Sequence, residues 1–266
     1  MHNLKKKNRV TQLPNHHITK RKQIMKEQLY TIPVNEAFES DCECPLCKMK
    51  EDLERNAIEY TLGPSYMEDD TRAMTDEAGF CEKHIKDLYK EKNRLGLALI
   101  LSTHLQKTTK DMQTLSSKDS PTGGSFFRKR ETTSLCEYVD KLQKRCFICD
   151  RINNTFDRYI DTIFHLYKYD PAFAEKVRNS KGFCTYHFAY IYDRAADKLS
   201  KNVLEQFLND IRTVYFDNMK RIQEDIEWFI NKFDYRYKNE PWKNAKDALP
   251  RTILKTHSVV SKDDIQ

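Results

Sequence analysis

The chain has 266 residues, of which 39% are hydrophobic and 32% charged, with only six glycines; that balance suits a helix-rich globular protein and argues against a sheet-rich one, which needs many tight turns. Eight cysteines over this length are too sparse for a small disulfide scaffold, and the longest apolar run, residues 95–101 interrupted by Gly96, is too short to cross a bilayer. The net charge is +6.

Much of that charge lies at the start. Lys5, Lys6, Lys7, Arg9, Lys20, Arg21, Lys22 and Lys26 meet no acidic residue before position 27, and no apolar stretch among them resembles a secretory signal. Residues 1–29 therefore read as a disordered basic arm, and the protein as a resident of the reducing cytoplasm, where Cys-x-x-Cys pairs serve more often as metal ligands or redox centres than as disulfides.

Residues 30–115 form a first repeat. Cys44-Pro45-Leu46-Cys47 is followed by apolar positions Leu53, Ala57 and Tyr60 at helical spacing, and Gly63-Pro64 ends that helix. Gly79-Phe80-Cys81-Glu82-Lys83-His84 comes next, and Ile85, Leu88 and Tyr89 continue as a helix beginning inside Cys-x-x-His. Residues 116–130 are rich in Ser and Gly and read as a flexible linker.

Residues 131–253 repeat the arrangement. Cys146-Phe147-Ile148-Cys149 opens a helix marked by Ile152, Phe156, Tyr159, Ile160, Ile163 and Tyr167, which ends at Asp170-Pro171; Gly182-Phe183-Cys184-Thr185-Tyr186-His187 then opens another, through Phe188, Ile191 and Tyr192. The offset between the copies is 102 residues at the first knuckle and 103 at the second, the mark of a duplication. A long apolar stripe follows, Leu204, Leu208, Ile211, Tyr215, Met219, Ile222, Ile226, Phe229 and Phe233. It is expected to pack within its own bundle, with a homodimer seam as the alternative. Trp242 and Leu249-Pro250 suggest a segment that folds back, ahead of a tail at 254–266. The fold class expected is all-α, a duplicated zinc-knuckle and helix unit with a long C-terminal helix.

Zinc favours four ligands in a tetrahedron, and thiolate with imidazole suits its intermediate softness. Two Cys3His sites follow, each expected to close within its own repeat: Cys44, Cys47, Cys81 and His84 around one ion, and Cys146, Cys149, Cys184 and His187 around the other. Cys and His three apart at a helix start share a face, and the helix N-terminus favours the thiolate. Cys42 and Cys136 fall outside the pattern, and His16, His17, His104, His165 and His257 have no cysteine at ligand spacing.

With these motifs the chain resembles a set of uncharacterised bacterial proteins, mostly from Gram-positive lineages, built on the same doubled unit, from about Tyr30 to Ile253 and including Phe233-Asp234-Tyr235-Arg236-Tyr237 and Pro241-Trp242-Lys243. The resemblance implies a fold and eight metal ligands, with no established activity. Some of those proteins carry an automatic label as substrate-binding components of ABC transporters; the missing export signal and lipidation cysteine argue against it here.

Three functions are compatible with this pattern. Four protein ligands per ion suit structural zinc, and so a protein-interaction or scaffolding module. Thiol oxidation releasing zinc would make it a redox- or metal-responsive regulator. A zinc enzyme is the third, but the chain has no His-Glu-x-x-His, no Gly-x-Ser-x-Gly and no Gly-rich phosphate loop. Beyond residue 26 the charge is close to neutral, which points to a protein partner rather than to nucleic acid.

Overall fold

A computed structural model describes residues 30–118 and 132–259. The basic arm, most of the expected linker and the last tail residues lie outside them. Among the described residues every regular element is helical, as the composition led one to expect. Helix α1 covers residues 30–39. It is followed by α2 (Pro45–Leu62), a 3-10 turn at Pro64–Met67, α3 (Asp69–Ala78), α4 (Glu82–Lys90) and α5 (Arg94–Lys118). Then come α6 (Ser134–Lys144), α7 (Phe147–Tyr169), α8 (Pro171–Asn179), α9 (Thr185–Lys198), α10 (Lys201–Asn231), a 3-10 turn at Tyr235–Tyr237 and α11 (Ala248–His257).

The breakers act where the sequence places them. Gly63 caps α2, and Asp170 closes α7 while its carboxylate caps α8, whose first position is Pro171. Residues 116–118, the start of the expected linker, belong to α5, which runs to Lys118. Ser116 and Ser117 turn their hydroxyls back onto the carbonyls of Gln113 and Thr114, a local bond that lets a polar stretch stay helical.

The centre of the molecule is the pairing of α2 with α7. Lys50 lies over the ring of Phe156 and Arg151 over the ring of Tyr60, so as one helix advances the other retreats and the two run antiparallel. Their shared seam buries Leu46, Met49, Leu53 and Ala57 against Ile148, Ile152, Phe156, Ile160 and Ile163. Each large aliphatic side chain there contributes about 1.5–3 kcal/mol by leaving water. The two halves of the sequence thus share one core.

Helix α10 lies against α8, α9 and α11 and buries Phe207, Ile211, Val214, Tyr215 and Ile222. Of the apolar stripe, Ile211, Tyr215 and Ile222 are buried, Leu204, Leu208, Met219, Ile226 and Phe229 are half-buried, and Phe233 is exposed. The segment beyond it folds back: Trp228 Nε1 donates to the Pro241 carbonyl at 3.0 Å, and the rings of Phe229 and Trp242 lie 5.9 Å apart. Helix α11 then runs past Ile253, the expected end of the second repeat, to His257.

Candidate metal centres

Each cysteine motif sits at a helix start. Cys44 and Cys146 are the N-cap residues of α2 and α7, with backbone angles of −155°, 106° and −157°, 123°; Cys81 and Cys184 cap α4 and α9 at −72°, 165° and −72°, 163°. The residues before them match too. Gly79 and Gly182 take φ of 59° and 76°, and a Cβ on Gly182 would lie 3.1 Å from Val214 Cγ1 and 3.2 Å from its carbonyl oxygen, so glycine answers both a backbone and a space requirement. The local geometry of the two copies is thus the same.

The eight expected ligands meet in two clusters of four, in a pairing that corrects the one expected. Cys44 and Cys47 stand with Cys184 and His187; Cys81 and His84 stand with Cys146 and Cys149. Each first knuckle is completed by the second knuckle of the other repeat. The reason lies in the helices between them. From Cys47 the chain leaves along 18 residues of α2, about 27 Å, but the 10-residue α3 returns only about 15 Å of that. His84 therefore arrives beside Glu54, two turns along α2, and the antiparallel α7 begins at that point. In the other half, α7 has 23 residues and α8 only nine, and His187 arrives beside Phe156. Both pairings satisfy the sequence spacing, and the unequal out-and-back lengths select the crossed one.

The distances are those of a coordination shell. A tetrahedral ion bonded at about 2.3 Å to sulfur and about 2.0 Å to nitrogen requires edges of about 3.7 Å between sulfurs and about 3.5 Å from sulfur to nitrogen. In the first cluster Cys47 Sγ lies 3.6 Å from Cys184 Sγ, and His187 Nδ1 is 3.5, 3.3 and 3.3 Å from the sulfurs of Cys44, Cys47 and Cys184. In the second, Cys81 Sγ lies 3.9 Å from Cys149 Sγ, and His84 Nδ1 is 3.3 Å from each of Cys81, Cys146 and Cys149. All four residues of the first cluster are buried, whereas Cys81 and Cys149 of the second are half-buried.

Each cluster also draws on two helix N-termini, α2 and α9 for the first and α4 and α7 for the second. Their unpaired amides favour negative sulfur: the Cys47 and His187 amides donate to Cys44 and Cys184 at 3.4 and 3.5 Å. The thiols nevertheless oppose one another. Hydrogen bonds from Cys44 and Cys47 hold Cys184 far below the usual thiol range, while Cys184 and Cys44 push Cys47 far up and Cys44 is raised to about 12 by burial and by Cys184. In the second cluster burial works against ionisation of Cys146, but the bond from His84 outweighs it and brings it to about 6; burial and the Cys146 charge raise Cys149 to about 12. Three thiolates in so small a volume ionise together only when a cation offsets them.

The surroundings contain residues that sequence spacing alone does not mark. Glu54 Oε1 lies 2.8 Å from His84 Nε2 and also pairs with Lys83, and the His84 and Lys83 contacts hold its carboxyl at about 2. Such a carboxylate fixes the ring so that Nδ1 faces the sulfurs. Lys255 is wholly buried beside the first cluster, and its ammonium donates to the carbonyls of Glu43 at 2.7 Å and Lys181 at 2.5 Å, with Phe183 at 3.5 Å. It thereby ties together the approaches to Cys44 and Cys184. Glu43 Oε2 lies 3.4 Å from it and 2.5 Å from Arg221, and Ser258 Oγ is 3.1 Å from Cys184 Sγ.

The remaining cysteines and histidines among the described residues stand apart from both clusters. Cys42 accepts from Ser40 at 3.2 Å, and burial pushes its thiol up, which makes it a poor nucleophile. Cys136 is exposed on α6. His104 is 3.0 Å from the Asp76 carbonyl oxygen, His165 packs on Tyr169, and His257 contacts Thr256; His16 and His17 lie outside the described residues.

Fold and site together define an all-helical protein with two Cys3His clusters able to hold a metal ion. Residues 25–263 match the model of a family of unknown function (DUF6062), and the chain belongs to that family. Comparison with the curated proteins and with the solved structures finds no match. No helix among the described residues is long and apolar enough to cross a membrane.

Proposed function

We propose that both clusters bind zinc, that the two ions are structural, and that the protein is an interaction or scaffolding module acting on another protein. One observation carries this: at each cluster four protein atoms already stand at tetrahedral edge lengths, which leaves no position for a reacting water. The histidine in each set favours zinc over an iron–sulfur cluster. In this reading the repeats at 30–115 and 131–253 form a single unit, because each ion is held by both, and the protein works in the cytoplasm, where thiols stay reduced.

Elemental analysis of protein purified without added metal is expected to give two zinc equivalents, with X-ray absorption fitting three sulfurs and one nitrogen per ion. Iron, a value near zero under reducing conditions, or an oxygen ligand in the first shell would overturn the assignment. A redox-responsive role has one observation in its favour, the half-exposed sulfurs of Cys81 and Cys149. Zinc release by peroxide from that cluster before the other would support it.

A further inference from the structure

Glu54 and Phe156 occupy the same place in the two copies. Each stands seven residues after the last cysteine of its first knuckle, two turns along α2 or α7, and each lies against the histidine that its own chain brings back. Glu54 gives His84 Nε2 an acceptor at 2.8 Å. Phe156 gives His187 only a ring, 5.7 Å between centroids, and His187 Nε2 is buried with no hydrogen-bond partner among the described residues. With Nδ1 turned to three sulfurs, the ring proton belongs on Nε2, and a buried donor without an acceptor costs about 1–3 kcal/mol.

His187 also lines a cleft. The space, about 420 Å³, lies among Cys47, Lys50, Glu51 and Glu54 of α2, Lys83, Ile152, Ser258 and Val259, within the usual size for a small ligand. Glu54 and Lys83 there are paired with each other. Lys50 is not: its ammonium lies 4.7 Å above the Phe156 ring and 5.2 Å above that of Tyr186, with no carboxylate within ion-pair distance among the described residues. The Ser258 hydroxyl there already faces Cys184 Sγ at 3.1 Å, which leaves a half-buried cation and a histidine Nε2 without an acceptor on one cavity. They offer donors where the other copy has a carboxylate.

We propose that this cleft binds a small carboxylate, which accepts from His187 Nε2, pairs with Lys50 and takes at the first cluster the place that Glu54 holds at the second. The proposal rests on the metal reading, because an ion on Nδ1 is what holds the proton on Nε2.

The test uses the zinc-loaded full chain and acetate as the probe. The side-chain Nε2–H of His187 is followed by proton–nitrogen NMR, with chloride at equal ionic strength as the control and zinc measured on the same samples. Acetate is expected to move the His187 resonance and chloride to leave it in place. Lys50→Gln should weaken the effect at least about tenfold, through loss of a charge-assisted contact. His187→Cys should keep the ion, now held by four thiolates, and abolish the effect. Low zinc content defeats the metal reading; full zinc with a resonance that ignores acetate, follows chloride equally, or responds unchanged in Lys50→Gln overturns the carboxylate site alone.

Discussion

The amide of Phe147 donates to the carbonyl of Gly79 at 3.0 Å. One residue follows Cys146 and the other stands two before Cys81, so this backbone bond joins the first knuckle of the second repeat to the second knuckle of the first. It fixes the exchange of half-sites independently of the sulfurs.

That exchange is testable by counting metal. Cys44→Ser with Cys184→Ser removes two ligands from one cluster and should leave one zinc equivalent. Cys44→Ser with Cys81→Ser injures both clusters and should leave close to none. Closure within each repeat would give the opposite result, so two metal analyses distinguish the pairings.

Glu54→Gln keeps the shape of the side chain but removes the charge that faces His84. Loss of an outer carboxylate of this kind costs about 10–100-fold in metal affinity. Competition with a chromophoric chelator should show one of the two ions leaving earlier than in the parent protein, while the other keeps its affinity.

Lys255→Met leaves Glu43 with Arg221 alone and strips the carbonyls of Lys181 and Glu43 of their shared donor. Removing one member of a buried charged set costs about 3–5 kcal/mol. Thermal unfolding should show a clear drop. Lys255→Arg should not restore stability, since a planar guanidinium does not fit a site shaped for an ammonium.

Cys149→Ser should lower the melting temperature and the metal content together, because metal binding at such sites is coupled to folding. Cys136→Ser, on the exposed face of α6, should melt like the parent. Equal melting of the two variants would contradict the ligand assignment.

Removing residues 1–26 deletes eight positive charges and no apolar periodicity. The truncated chain should keep its melting temperature and both ions. In a titration with mixed-sequence DNA at low and moderate salt it should show no tight binding; binding that survives the truncation and weakens steeply with salt would argue for a nucleic-acid partner.

The helices that open at the four cysteine motifs and the long α10 were legible in the sequence, whereas α1, α3, α6, α8 and α11 were not read from it. Ile152, Phe156, Ile160 and Ile163 recur at a spacing only a helix uses, and Gly63 and Pro171 mark ends that the chain respects. The eight clustered residues stood out because their spacing is doubled. Which knuckle meets which was not legible, since it depends on how far α3 and α8 carry the chain back, a three-dimensional length that local spacing does not encode. Glu54 and Lys255 were not singled out in the sequence. Glu54 gave one signal, its seven-residue offset from Cys47 on the face that packs; Lys255 gave none, for its partners are backbone carbonyls far away in the chain.

The exchange of half-sites also orders events during synthesis. Cys81 and His84 must wait for Cys149 before their cluster has four members, and Cys44 and Cys47 for His187. The cluster whose first cysteines emerge earliest is therefore the last to close, after 140 further residues have been added beyond Cys47. Until then the ribosome holds a chain with half-ligated thiols, and a ribosome that stalls between the two repeats releases a product that can complete neither centre.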